Sequence, residues 1–257
     1  MDRPADDPVI SRNGWHSYIA TFHTTRPGIT DDMLSRCRLG GRDPYEWLVD
    51  GVDVNSRVLD LGCGSAPTRT RLGPQWSGLD RSLAELDRAR SQGAVAVIRG
   101  DARQLPLREK CFDVVICSMS LMLFHPLAAA LAEIRRVLAP SGEVRVLLPA
   151  TRPLNTGDRV RYLRLFAGVR SIARFPRSAL WPPRPIGDRL SGFTVIADEC
   201  RRFAYPIDTR ADADRLVESL YLPGVSDIRI AKAGQSVADK APHQIGIPLR
   251  KLILRPA

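Results

Sequence analysis

The sequence predicts an α/β protein built on a doubly wound, mostly parallel sheet. Three observations lead there. Apolar runs of four or five residues recur through the middle of the chain, each bounded by Gly, Pro, Asp or Ser. A segment of helical period separates the last two runs, and glycines or acids stand just after successive runs. Repeated strand, helix, strand alternation implies parallel pairing through right-handed crossovers, with helices on both faces of the sheet.

The runs are Val58 to Leu61, Trp76 to Leu79, Val95 to Ile98, Val114 to Cys117 and Val144 to Leu148. Their near-continuous apolarity suits strands buried on both faces. Leu83, Leu86 and Ala89 predict a short helix after the second run. Leu127, Leu131, Ile134 and Leu138 recur at steps of four, three and four residues and share one helical face. Pro126 fits the first turn of that helix, and Ala139-Pro140-Ser141-Gly142 ends it.

The flanks are less regular. Residues 12–50 hold Trp15, Tyr18, Phe22 and Trp47 around a Pro27-Gly28 break, and read as a helical arm over the ligand edge of the sheet or against its flank. The tail offers a strand from Phe193 to Ala204, then a helix capped by Asp208 or Thr209 and carrying Leu216, Val217, Leu220 and Tyr221. A last strand runs from Ile245 to Leu254, where Pro248 suits an edge or a bulge.

A chain of 257 residues with 44% apolar content can bury one substantial core, so a single domain is expected. Its parts are an arm over 1–50, a core over 51–150, an insertion over 151–190 and completing strands and helix over 191–257. The net charge is +10, and seven of those charges fall within 151–190, where nine arginines face two aspartates. That stretch reads as an Arg-rich cap. The excess favours anionic partners without requiring one. No apolar run reaches the ~18 residues of a membrane span, and Met1 to Asp7 carries three aspartates where a secretion signal would be basic and then apolar. A cytoplasmic protein with no membrane partner is expected. Five scattered cysteines without a paired C-x-x-C indicate reduced thiols and no metal site.

The strongest motif is Val58-Leu59-Asp60-Leu61-Gly62-Cys63-Gly64-Ser65-Ala66-Pro67, a strand running into a glycine turn. Gly62 and Gly64 permit a sharp reversal and leave room for a ligand against the backbone. Pro67 takes the third glycine position of a dinucleotide fingerprint, and Asp60 would face a pyrophosphate, so a cation-bearing ligand suits the turn better. Asp80, followed by Arg81, closes the second strand, where a carboxylate can accept from both ribose hydroxyls or cap the next helix. Asp101 and Ala102 follow the third strand, within reach of an adenine amino group or as an ordinary loop. Ser118 ends the fourth. All lie at carboxyl ends of successive strands, where open α/β sheets bind ligands.

With these residues in view, the stretch from Arg57 to Ala150, including Leu131-Ala132-Glu133-Ile134-Arg135-Arg136-Val137-Leu138, resembles the class I S-adenosylmethionine-dependent methyltransferases, especially their small-molecule, ubiquinone-biosynthesis-like branch. The resemblance implies a Rossmann-like sheet of seven strands, the last antiparallel, with S-adenosylmethionine as cofactor and S-adenosylhomocysteine as product. It also implies cofactor contacts from Asp60, Gly62, Cys63 and Gly64 at the methionine end. Asp80 and Arg81 would lie at the ribose, Asp101 and Ala102 at the adenine, and Ser118 near the methyl or carboxylate end. Ser118-Met119-Ser120-Leu121 lacks the Asn/Asp-Pro-Pro-Tyr/Phe tetrad that in the wider family marks methylation of planar amino groups.

Methyl transfer from a sulfonium is an in-line displacement with a neutral leaving group, so alignment alone can contribute ~7 to 11 kcal/mol. A base is needed only where the acceptor loses a proton. The candidates are His16; His125, after the fourth strand; and His23, in an arm able to close over the cofactor. For the last two, helix capping or packing and a surface-facing helix position are the ordinary alternatives. A small-molecule acceptor, acidic if the charge excess bears on it, is the preferred reading. The alternatives are an RNA-modifying enzyme using the insertion's arginines on phosphate, so that nucleic acid is a less favoured partner, and a non-methylating use of the sulfonium.

Overall fold

The computed structural model describes residues 12–169 and 190–257. Three helices come first: α1 (Arg12–Thr25), α2 (Ile29–Leu34) and α3 (Pro44–Leu48). The sheet then alternates with helices through β1 (Val58–Leu61), β2 (Trp76–Asp80), α4 (Leu83–Ser91), β3 (Val97–Arg99), β4 (Phe112–Ser118), α5 (Leu127–Val137) and β5 (Leu138–Pro149). It closes with α6 (Thr156–Val169), β6 (Phe193–Ile207), α7 (Arg210–Glu218), α8 (Asp227–Ala238) and β7 (His243–Pro256). The seven strands lie in the order β3-β2-β1-β4-β5-β7-β6. β1 to β5 pair in parallel, and β7 runs antiparallel to both β5 and β6. The α/β class and the seven-stranded sheet are as expected. No helix among the described residues is long and apolar enough to cross a membrane.

Alternate residues of each strand enter opposite layers, as the strand period requires. Val58, Val114, Ile116 and Leu147 face α2, α3, α4, α6, α7 and α8. Leu59, Leu61, Val115, Cys117 and Val146 face α5 and the inward side chains of β7. That two-sided burial is why the runs of β1, β4 and β5 were legible in the sequence; the expected buried run from Val95 to Ile98 is instead the edge strand Val97–Arg99, part-buried, with Val95 exposed ahead of it.

Three further expectations need correction. β5 starts at Leu138 rather than Val144; Leu138 pairs with Phe112 and Glu143 with Val114, and the exposed Pro140-Ser141 turn is absorbed by a register shift. Gly142 is required there, since a Cβ would lie 2.8 Å from the Asp113 carbonyl oxygen. The helix expected to include Leu220 and Tyr221 ends at Glu218, which leaves Tyr221 in the irregular segment after it. β7 is an interior strand, yet Pro248 fits, because pairing with β5 stops at Leu249 and leaves that side of Pro248 outside the β5 ladder.

Helix α8 had no signal. Its buried positions are Ala233, Gly234 and Val237, too small to stand out as a periodic apolar stripe. Gly168 of α6 approaches the Ala233 backbone so closely that a Cβ would lie 2.7 Å from its Cα. The first part of the Arg-rich stretch is therefore a helix packed on α8 and β7, tied down by Asp158. That fully buried carboxylate accepts from Arg202 Nε at 2.6 Å, Arg202 Nη2 at 2.8 Å and the Gly246 amide at 2.7 Å. The remainder of the expected cap, 170–189, lies outside the described residues.

Candidate active site

β1 and β2 run side by side and end on the turns that carry the motif residues. The amides of Gly62 and Cys63 both donate to the Leu79 carbonyl, at 2.7 and 3.1 Å. Gly62 and Gly64 have φ of 73° and 53°, so the turn uses left-handed backbone at both glycines. Room is also limiting: a Cβ on Gly62 would lie 2.5 Å from Ser120 Cβ, and one on Gly64 2.9 Å from Asp31 Oδ2.

Asp80 joins this turn to the next helix. Its Oδ2 accepts from the Gly64 amide at 2.9 Å and its Oδ1 from the Ser82 amide at 2.8 Å, while Ser82 Oγ caps α4. A carboxylate offers about four lone-pair sites, so both oxygens keep capacity for further donors. Half-buried at the strand end, Asp80 braces the turn through these two amides, and the helix cap foreseen as its alternative falls to Ser82.

The other expected contacts divide. Asp60, 1% exposed, lies beneath the turn. One oxygen accepts from the Thr68 hydroxyl, which in turn accepts from the Trp76 indole N–H at 3.1 Å; the other, Oδ1, has no partner. Burial first, then the neighbouring Asp31 and Asp80 charges, push its carboxyl up to about 7. Cys63 points downward too, packing where a Gly78 Cβ would lie, so only its backbone meets the turn. Asp101 is held on both oxygens by Arg103, at 2.9 and 2.5 Å, and that pairing drops its pKa to about 2. Ala102 is buried beside it, and Arg81 is exposed. Ser118 Oγ is buried without a partner at the end of β4.

The candidate bases lie in different settings. His125 is exposed, its ring 5.7 Å from that of His16 and its carbonyl accepting from Arg103. His23 instead joins a buried chain: Nδ1 lies 2.8 Å from Glu85 Oε1 and Nε2 lies 2.9 Å from the Tyr221 hydroxyl. Glu85, 3% exposed, is fixed from its other oxygen by the Gly28 amide at 2.8 Å. Burial alone would lower the His23 pKa, but the Glu85 hydrogen bond and charge, with Asp80 and Asp31 behind it, raise it.

Sequence reasoning missed Asp31, Glu85 and the role of Tyr221. Asp31 accepts from the Ser65 amide at 3.0 Å, the Ser65 hydroxyl at 2.7 Å and the Tyr45 hydroxyl at 2.9 Å. Only tertiary folding brings it to the glycine turn, so no spacing could announce it. Glu85 sits three residues after an N-cap serine, where a capping glutamate is the ordinary expectation.

The charge pattern tests which ligand suits this edge. Elsewhere many of the acids have arginine partners, as in Asp32 with Arg88, Asp43 with Arg71, Asp113 with Arg57, Glu133 with Arg136 and Asp212 with Arg36. Asp31, Asp60 and Asp80 have no Arg or Lys partner among the described residues, and Glu85 has His23 alone. Unpaired, desolvated carboxylates are costly, so an edge carrying three acids without a basic partner, beside the His23-bound Glu85, fits a cationic ligand. S-adenosylmethionine, with a sulfonium, an ammonium and a ribose diol, meets those requirements. Among the described residues no three His, Cys, Asp or Glu side chains converge as metal ligands.

Comparison with known proteins agrees. Residues 59–146 match the model of a methyltransferase domain. The chain is 31% identical over 240 residues to nocamycin O-methyltransferase of Saccharothrix syringae, covering 79% of this chain and 84% of that one. It is 32% identical over 156 residues to demethylmenaquinone methyltransferase of Thermobifida fusca, covering 56% of this chain and 66% of that one. Among solved structures, a SAM-dependent methyltransferase from Thermotoga maritima superposes with a TM-score of 0.53 at 12% identity, over 95% of this chain and 98% of that one, which bears on the fold. Glycine turn, uncompensated acids, strand order and sequence kinship converge on one statement: this chain belongs to the class I S-adenosylmethionine-dependent methyltransferases.

Proposed function

We propose that this enzyme methylates a hydroxyl of a small organic molecule. The observation that carries this reading is the Glu85–His23–Tyr221 chain set beside the acids of the glycine turn, because a neutral hydroxyl must lose its proton as it is methylated. When bound, the cofactor supplies an electrophilic methyl group. Asp80 receives the ribose hydroxyls, Gly62 and Gly64 give the backbone clearance to approach the turn, and Asp60 lies beneath it, its carboxyl raised to about 7 so that it adds negative charge only as pH passes that value. Ser118 lines the floor at the end of β4. Asp101, already bound to Arg103, has only its remaining lone pairs to offer an adenine amino group.

His23 has both ring nitrogens engaged, so it takes the acceptor's proton by way of Tyr221, whose hydroxyl passes one proton to Nε2 as it receives another. Glu85 holds the imidazole in place and stabilises its protonated form. His125, exposed and apart from this chain, is a surface residue in this reading. The relatives add support, one being named for O-methylation. An acidic acceptor is disfavoured, since it would enter beside four carboxylates, and the described arginines of 151–169 sit on α6 or its approach, beside α8. The test is incubation with S-adenosylmethionine and a panel of small phenols, enols and alcohols. S-adenosylhomocysteine and an O-methyl product support the proposal; methylthioadenosine, or methylation of nitrogen or carbon acceptors alone, refutes it.

A further inference from the structure

We infer that Asp31, on the N-terminal arm, is a cofactor-binding residue that receives the α-ammonium group of the cofactor's methionine half. The inference rests on the cofactor lying at the glycine turn, as proposed above, and adds a wall that the motif does not contain.

Position comes first. Asp80 and Asp31 stand at successive residues of one turn: Asp80 Oδ2 accepts from the Gly64 amide, and Asp31 Oδ2 accepts from the Ser65 amide and hydroxyl. Asp31 Oδ2 also occupies the space directly over Gly64, 2.9 Å from where a Cβ would be. The glycine thus leaves one carboxylate on the β2 side of the turn and one on the arm side. A ligand with a hydroxyl-rich half and an amino-acid half has a matching polarity along its length.

Charge comes second. All three hydrogen bonds to Asp31 come from neutral groups: an amide and two hydroxyls. Burial raises its pKa, and Asp31 in turn raises those of Asp60 and Glu85. The positive group that it feels is His23, whose ring is already bound to Glu85. In a chain with 38 Lys and Arg, a partly buried aspartate without a basic partner in contact is suited to a cation that arrives with a ligand. The three neutral donors orient the carboxylate and leave lone pairs free, since two oxygens offer about four. An ammonium contributes a charge-assisted bond, the strong kind.

The experiment is calorimetry on the full chain with two ligands that share the adenosine and the sulfur. S-adenosylhomocysteine carries the ammonium, and 5′-methylthioadenosine lacks the amino-acid half. Asp31→Asn should weaken S-adenosylhomocysteine by about tenfold or more, the scale of one bond to a charged group, and leave methylthioadenosine within about twofold. Equal losses for both ligands would show that Asp31 only props the turn, and no loss for either would remove it from the site; each outcome overturns the inference. Should Asp31→Asn not fold, a crystal of the unaltered chain with S-adenosylhomocysteine decides. An amino nitrogen within hydrogen-bond distance of Asp31 supports the assignment, and one bound solely by other groups overturns it. If Asp80→Ala loses affinity while Asp31→Asn does not, the placement of the cofactor stands and this inference alone falls.

Discussion

Removing the carboxylate at residue 80 probes the cofactor edge at its centre. Asp80 anchors two amides, Gly64 N at 2.9 Å and Ser82 N at 2.8 Å, and its remaining lone pairs are those the proposed function gives to a ribose. Each hydrogen bond to a charged group contributes about 1.5 to 3 kcal/mol, so two ribose hydroxyls would draw at most about 3 to 6 kcal/mol from it. Asp80 is only half-buried and water competes, so the lower end applies. Asp80→Ala should therefore weaken S-adenosylhomocysteine by about 2 to 3 kcal/mol, a factor of roughly 30 to 150. The two released amides lie at turns that water can reach, so the stability cost should stay near about 1 kcal/mol. Calorimetry at fixed pH measures the first quantity and thermal unfolding the second. Affinity unchanged within about twofold, with normal unfolding, would refute the argument that the ribose is held here.

Other outcomes follow from the same geometry. Tyr221→Phe and His23→Gln should each lower kcat by about a hundredfold or more while leaving S-adenosylhomocysteine affinity nearly unchanged; full activity in either would remove the proton chain. His23 must be neutral to accept a proton, and Glu85 raises its pKa, so kcat should climb with pH through that value, and Glu85→Gln should move the climb to lower pH; an unmoved profile would count against Glu85 as its partner. Asp60 titrates near 7 in the fold, above its unfolded value, so its charge destabilises increasingly as pH rises from about 4 to about 7. Asp60→Asn should accordingly melt higher than the parent at pH 8, with the gain shrinking toward pH 5, and a constant difference across that range would contradict the assignment. Asp158→Ala, leaving Arg202 unpaired in a buried cluster, should cost about 3 to 5 kcal/mol; a melting temperature within a degree or two of the parent would show that α6 is held by other contacts.

What the sequence disclosed follows from where each signal is stored. Buried parallel strands announce themselves because both faces need apolar side chains, and the glycines at 62 and 64 announce a turn because few other residues accept that backbone. Asp80 was legible for the same reason, standing at a strand end beside the turn. Asp60 shows the limit: its place in the motif is visible, but whether a strand-end acid points at the ligand or under the turn depends on the side-chain alternation that also buries Val58. Asp31, Glu85 and Tyr221 come from three separate segments and meet only through tertiary contacts, so no local pattern marks them. His125 and His23 looked alike as lone histidines, and the distinction between them is the partner each ring finds. Small residues hid α8, since the close approach of α6 demands alanine and glycine where an apolar stripe would have been recognised.

Hydrogen–deuterium exchange with and without S-adenosylhomocysteine tests directly where the cofactor lies. Protection should rise at the amides of residues 62–65 and 80–82, the two turns that flank Gly64 and Asp80. Protection confined to other parts of the chain, with these turns exchanging as before, would contradict that placement.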